Sequence, residues 1–251
     1  MISRLAQAGF LAPDVDARAL LRMAAGDRLL LDSLVERRLT GEPLAWITGT
    51  TRFCGLDLRI DPGVYVPRPQ TELLARRASD RLPDAGIAVD LCTGSGAIAA
   101  VLAAARPGAR VVATELDARA VACAQGNGVE ALAGDLFAPL PVELAGRTDV
   151  VVACVPYVPT GALAFLQRDA LTFESPRAYD GGEDGTVLLR RVVEGSTRFL
   201  RSGGTLLLEL GGDEPDRLAD DLRRAGFVDP ETWLDDDGDV RGLEARLARP
   251  R

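Results

Sequence analysis

The sequence predicts an α/β fold: a doubly wound parallel sheet preceded by a small helical domain and a β-hairpin. Three observations carry that expectation. A buried strand over residues 86–91 breaks into Cys92-Thr93-Gly94-Ser95-Gly96 and then into a helix over residues 97–105. From there strand and helix alternate toward the end of the chain, the pattern of parallel βαβ units. Glu115 closes the next strand, about twenty residues past the glycines, where such a sheet places groups that hold a ligand.

Composition narrows the function classes. At 251 residues with 47% hydrophobic side chains, the chain can bury an ample core. No apolar run reaches the length of a membrane span, and Met1-Ile2-Ser3-Arg4-Leu5 has no signal-peptide core, so a cytoplasmic protein with no membrane partner is expected. Histidine is absent and all 29 basic side chains are arginine. That removes Ser-His and Cys-His nucleophiles, histidine metal sites, Schiff-base chemistry and a P-loop lysine. Cys54, Cys92, Cys123 and Cys154 are widely spaced, so neither a zinc site nor a disulfide framework is indicated. A net charge of -8 argues against direct binding of nucleic acid.

Residues 1–43 read as helices. A first short segment ends at Gly9 and Pro13. Asp14 and Asp16 open a second, with Ala17, Leu20, Leu21 and Met23 at helical spacing, closed by Gly26. Asp27 starts a third, with Leu29, Leu30, Leu34 and Val35 on its apolar side, closed by Gly41 and Pro43. This is either a simple packed bundle or a cap that recognises substrate. Over residues 44–66, Trp46, Ile47, Phe53, Leu56, Leu58, Ile60, Val64 and Val66 suggest short strands, with turns at Gly49, Gly55 and Asp61-Pro62-Gly63. In Val66-Pro67-Arg68-Pro69-Gln70-Thr71-Glu72 the prolines stiffen the entry to a helix that runs to residue 81.

At the glycine turn, Gly94 and Gly96 let backbone approach a ligand, and the free amides of the helix start add a polar cradle. The dinucleotide fingerprint fails, because position 99 is alanine. After strand 110–114, the Glu115 carboxylate can accept from both hydroxyls of a ribose, or is a solvated acid at a helix start. Helix 118–125 and a short strand lead to Gly134-Asp135-Leu136-Phe137. Asp135 can accept from an adenine amino group while Leu136 or Phe137 lies against the ring; it reads equally as a turn aspartate. Strand 148–153 delivers Cys154-Val155-Pro156-Tyr157 to the place where a ligand's reacting end belongs. The Asp180-Gly181-Gly182-Glu183-Asp184-Gly185 loop reads as the cap of a helix over 186–200. Gly203-Gly204, a strand over 205–210, a helix over 213–225 and two closing strands, near Thr232 and over 243–247, complete the chain. Asp235-Asp236-Asp237 reads as a solvated turn.

Three of these segments together resemble the HemK family, the release-factor glutamine N5-methyltransferases: residues 66–72, Asp90-Leu91-Cys92-Thr93-Gly94-Ser95-Gly96, and Cys154-Val155-Pro156-Tyr157. Glu174-Ser175-Pro176 and Asp237-Gly238-Asp239 extend the likeness over nearly the whole chain, although the helical segment at its start is short for that family. The resemblance implies a Rossmann-like class I fold with a seven-stranded sheet, dependent on S-adenosyl-L-methionine (SAM). Its parts would be a helical cap (1–43), a hairpin linker (44–66) and a methyltransferase domain (67–251). It further implies N-methyl transfer to the glutamine of a release factor's Gly-Gly-Gln loop, by positioning rather than through a metal or covalent intermediate. Gly94, Gly96 and Asp90 would hold the methionine and ribose end of SAM, Glu115 the ribose and Asp135 the adenine, with Cys92, Thr93, Leu116, Leu136 and Cys154 also binding the cofactor. Arg68, Thr71, Glu72 and Tyr157 would meet the substrate, and Cys154, Val155, Pro156 and Tyr157 would form the catalytic corner.

One departure stands at that corner. The family carries Asn-Pro-Pro-Tyr, where this chain has Cys154 for the asparagine and Val155 for the first proline. A primary amide nitrogen is a poor nucleophile because its lone pair is delocalised into the carbonyl. In the family the asparagine oxygen and the next backbone carbonyl accept its two N–H bonds and aim it at the sulfonium methyl. Val155 keeps the backbone carbonyl; Cys154 is a weak acceptor, or simply a small buried apolar residue. A lost neutral hydrogen bond costs about 0.5–1.5 kcal/mol, and more where it sets reaction geometry. Two alternatives to the release-factor acceptor follow: a small-molecule nitrogen or oxygen, as in specialised metabolism, or a catalytically silent SAM-binding protein.

Overall fold

The structure, a computed structural model, describes residues 1–166 and 172–248. Four helices open the chain: α1 (Ile2–Gln7), α2 (Pro13–Ala24), α3 (Arg28–Leu39) and α4 (Leu44–Thr48). Asp27 caps α3 by accepting from the Leu30 amide at 3.0 Å. Leu20, Ala24, Leu34, Val35 and Ile47 form a small core of their own. Leu29, expected on the apolar side of α3, is instead 83% exposed, because three consecutive leucines span more of a helix than one buried face. Trp46 and Ile47, expected in a strand, lie in α4. Gly49 at φ 74° ends that helix, and the Trp46 indole donates to the Val64 carbonyl at 2.8 Å. A short apolar run does not distinguish one helical turn from a strand; the bundle's need for Ile47 decides it.

The hairpin is β1 (Thr50–Phe53) and β2 (Leu56–Arg59), paired antiparallel from Phe53↔Leu56 outward. Cys54 and Gly55 form its turn with φ 47° and 82°, the two left-handed residues that a two-residue hairpin loop demands. Val64 and Val66 lie outside any strand, in the connection to α5 (Thr71–Arg81).

Seven strands form one sheet: β3 (Ile87–Leu91), β4 (Arg110–Glu115), β5 (Glu130–Ala133), β6 (Thr148–Ala153), β7 (Leu200–Glu209), β8 (Phe227–Leu234) and β9 (Val240–Leu247). Their order is β5-β4-β3-β6-β7-β9-β8, so the seven-stranded expectation holds. The first five are parallel, but β9 runs antiparallel between β7 and β8. The reason is the β8–β9 turn, where Asp235 accepts from the Asp237 and Asp239 amides; a connection that short makes a hairpin, not a crossover. β7 starts earlier than expected, with Gly203-Gly204 inside it. A Cβ at Gly204 would stand 3.0 Å from the Thr148 carbonyl oxygen, so only glycine lets the two strands close here.

Helices α6 (Ala97–Ala105) and α7 (Ala118–Gly126) cover one face with α5, through Leu74, Ala78, Leu102 and Val121. The helices α8 (Val187–Phe199) and α9 (Glu214–Arg224) cover the other through Leu189, Val193, Leu218 and Leu222. Strand order reverses between β3 and β6, which leaves a crevice at their carboxyl ends, where the glycine turn and the Cys154 corner both emerge. Among the described residues no helix is long and apolar enough to cross a membrane.

Candidate active site

The turn after β3 is wound left-handed at three of five residues: Cys92 (φ 55°), Gly94 (φ 56°) and Gly96 (φ 81°). Cys92 carries a backbone cost of about 1–2 kcal/mol there that glycine would not. The two glycines serve different ends. A Cβ on Gly96 would meet Ala124 Cβ and Val129 Cγ2 at 2.9 Å each, whereas one on Gly94 meets nothing within 4 Å. Gly96 lets the turn pack on α7, and Gly94 turns toward open space.

Asp90 lies beneath, fully buried. Its Oδ2 accepts from the Thr93 hydroxyl at 2.5 Å and from the Ala99 amide at 3.1 Å, while its Oδ1 has no partner. Burial pushes this carboxyl up to about 7. Asp90 and Thr93 therefore brace the turn from inside. Glu115 faces the same turn from the end of β4: Oε2 accepts from the Gly94 amide at 2.9 Å, and Oε1 from the amides of Leu116 (2.7 Å) and Asp117 (3.0 Å). Beside it Leu116 is 66% exposed.

Asp135 is exposed and pairs with Arg191 at 2.7 Å. Leu136, expected against an adenine ring, is buried in the core under the sheet, because its left-handed backbone (φ 47°) turns the side chain inward. Phe137 is likewise committed, stacked on Phe199 with ring centroids 5.3 Å apart.

At the end of β6 the Val155 side chain is buried, so its backbone is what it can offer a ligand. The Tyr157 hydroxyl donates to Glu209 Oε1 at a long 3.4 Å. Burial holds the Cys154 thiol well above its ordinary range, with the Glu209 charge adding to it, so the sulfur is a protonated thiol and no nucleophile. Glu209, at the carboxyl end of β7, is only 4% exposed, and its Oε2 has no partner. Sequence reasoning missed it, although the signal was the one that singled out Glu115: an acid closing a buried strand.

Arg68, Thr71 and Glu72 were expected at the substrate, and the structure engages each within the protein. Arg68 pairs with the buried Glu174 and donates to the Tyr179 hydroxyl at 2.8 Å, its guanidinium 4.9 Å above the Tyr65 ring. Thr71 is buried, which removes it from direct contact with a substrate. Glu72 accepts from the Cys54 amide at 3.0 Å and from Arg76 at 2.7 Å, tying the hairpin to α5. Tyr65, Glu174 and Tyr179 thus join the site only through the fold. The 180–185 loop does more than cap α8: Cβ atoms at Gly181 and Gly185 would stand 2.7 Å from Tyr157 Cα and 2.4 Å from its carbonyl oxygen. The loop packs directly on the backbone of the corner, with no room for a side chain at either glycine. A groove of about 830 Å³ runs from Met23 and Arg22 of the bundle past Arg52 to Arg68 and Glu174. Among the described residues no cluster of three potential metal ligands occurs.

The methyltransferase small domain family matches residues 56–140. The release factor glutamine methyltransferase of Geobacter sulfurreducens is 38% identical over 220 residues, 85% of this chain and 76% of that protein. The protein of the same description from Mycolicibacterium smegmatis is 36% identical, over 98% of this chain and 92% of its own length. Among solved structures, the E. cuniculi complex responsible for methylation of the eRF1 translation termination factor superposes with a TM-score of 0.55 at 22% identity, over 74% of this chain and 99% of that one. At that identity the likeness is one of fold.

Proposed function

From the premise that this chain belongs to the release factor glutamine methyltransferases, SAM-dependent enzymes, we propose that its acceptor is the side-chain amide nitrogen of a release-factor glutamine. One observation carries the reading. The glycine turn and the Cys154 corner leave neighbouring parallel strands, paired Leu91↔Ala153, so a ligand seated at the first presents its end to the second.

The residues present fit SAM. Gly94 faces open space, Glu115 already sits on its amide, and Leu116 offers apolar surface, with Asp90 bracing the turn from beneath. When bound, SAM supplies a methyl group made electrophilic by its sulfonium. Glu115 would accept from the ribose hydroxyls, and Asp135, half-exposed and held only by a surface ion pair, from the adenine amino group. At the other end the Val155 carbonyl accepts one N–H of the substrate amide, and Tyr157 walls the pocket with its backbone packed against Gly181 and Gly185. Arg68, fixed by Glu174 and Tyr179, closes the side toward the bundle groove. The chain's own contribution is orientation: holding a weak nucleophile in line with the methyl.

Cys154 in place of asparagine favours a second reading, an acceptor nitrogen or oxygen of a small molecule that needs less help. Mass spectrometry of a purified release factor incubated with the protein and SAM separates the two. The proposal expects a 14 Da gain on the Gly-Gly-Gln glutamine, and a larger yield from Cys154→Asn. An unmodified glutamine despite SAM binding by calorimetry leaves the small-molecule acceptor or a catalytically silent SAM-binding protein.

A further inference from the structure

Glu209 is a buried acid that no step above uses. It closes β7, the sheet neighbour of β6, so it lies beside the Cys154 corner. Ala153 pairs with Leu208, so Cys154 and Glu209 are the next residues in register at the two strand ends and lie on the same face of the sheet. Its Oε1 takes the Tyr157 hydroxyl, and its Oε2 is sealed from solvent with no partner in hydrogen-bond geometry. An unsatisfied buried carboxylate oxygen is costly, so a donor that can swing onto it will do so. The Thr71 hydroxyl, itself buried without a partner, and the Cys154 thiol are both donors of this kind, each rotating about one bond, and the two carboxylate oxygens have lone pairs for both.

The direction of that S–H decides what the corner can do. Pointed outward, it would set a donor against the N–H of a substrate amide. Pointed at Glu209, it leaves sulfur lone pairs facing the substrate, and the carboxylate polarises the S–H bond, which makes the sulfur a better acceptor. We infer that Glu209 is a positioning residue for methyl transfer: it accepts the Cys154 S–H and so turns the thiol into the second acceptor that aligns the amide nitrogen. The clamp that the loss of asparagine halves is rebuilt from a thiol on one strand and a carboxylate on the next. This inference rests on the glutamine reading above.

The test uses the full chain with Glu209→Leu, which fills a buried site with an apolar side chain, and Glu209→Gln, which keeps the shape. The S–H stretching band of Cys154, identified by its disappearance in Cys154→Ala, is expected to move to higher frequency in Glu209→Leu as the thiol loses its acceptor. In single-turnover transfer to a purified release factor, Glu209→Leu is expected to lower kcat about tenfold or more with the Kd for SAM unchanged, and Glu209→Gln to fall between. On a Cys154→Ala background, Glu209→Leu should cost little further rate, since no thiol remains to orient. A band that stays in place in Glu209→Leu, or an equal loss of kcat on both backgrounds, overturns the inference. A wild type that binds SAM and shows the band shift but leaves the glutamine unmodified refutes the acceptor proposed above while upholding the Glu209–Cys154 contact.

Discussion

Replacing Gly96 and Gly94 by alanine, one at a time, separates what the turn does for the fold from what it does for the ligand. At Gly96 the new methyl meets Ala124 Cβ and Val129 Cγ2 at 2.9 Å, and the backbone stands at φ 81°. The left-handed conformation costs about 1–2 kcal/mol and the overpacking about 1–3 kcal/mol, while the stiffer unfolded chain returns about 0.4–1 kcal/mol. A net loss of about 2–4 kcal/mol in urea denaturation is expected. At Gly94 the backbone term alone applies, so Gly94→Ala should cost about 1 kcal/mol in the same assay. Its methyl would point into the space assigned to SAM, beside the amide held by Glu115. Calorimetry should therefore show a loss of SAM affinity of about tenfold or more for Gly94→Ala at temperatures where it is fully folded. The reasoning fails if Gly96→Ala unfolds at the wild-type midpoint, or if Gly94→Ala binds SAM as tightly as the parent.

Three further outcomes follow from the same geometry. Burial holds the Asp90 carboxyl at about 7 against an ordinary 3.8, so the native state keeps a proton that the unfolded chain releases, and stability falls as pH rises through that window. Asp90→Asn, which has no carboxyl to titrate, should gain on the wild type in denaturation midpoints measured from pH 4 to pH 7. Arg68→Ala strips its cation from Glu174, whose side chain is only 2% exposed, and should cost about 3 kcal/mol in chemical denaturation. Gly185→Ala drives a Cβ to 2.4 Å from the Tyr157 carbonyl oxygen at a backbone φ of 78°, so it should lower the rate of transfer to the release factor while calorimetry shows SAM binding preserved.

Much of the crevice was legible because its signals are local. Gly94 and Gly96 mark positive φ, the Leu91 strand end marks the crevice, and Glu115 follows at the spacing of one βαβ unit. The acceptor side was read less well. Thr71 and Glu72 sit in a motif that reads as substrate contact, but α5 packs against the sheet and the hairpin, which turns Thr71 inward and commits Glu72 to Cys54. Leu136 read as an apolar wall for adenine until its backbone, at φ 47°, swung it into the core.

The order of apolar and glycine residues along the chain determined by itself that there would be strands, that they would alternate with helices, and where the glycine turn would fall. Those choices rest on side-chain periodicity and on backbone angles that few residues adopt, both properties of neighbours in sequence. The insertion of β9 between β7 and β8, the seating of Ile47 in the bundle, and the arrival of Glu209 beside the end of β6 were decided only by tertiary structure. Each depends on which strand ends the sheet brings side by side, and pairing between strands is set by packing and hydrogen bonds over the whole sheet rather than by any one segment.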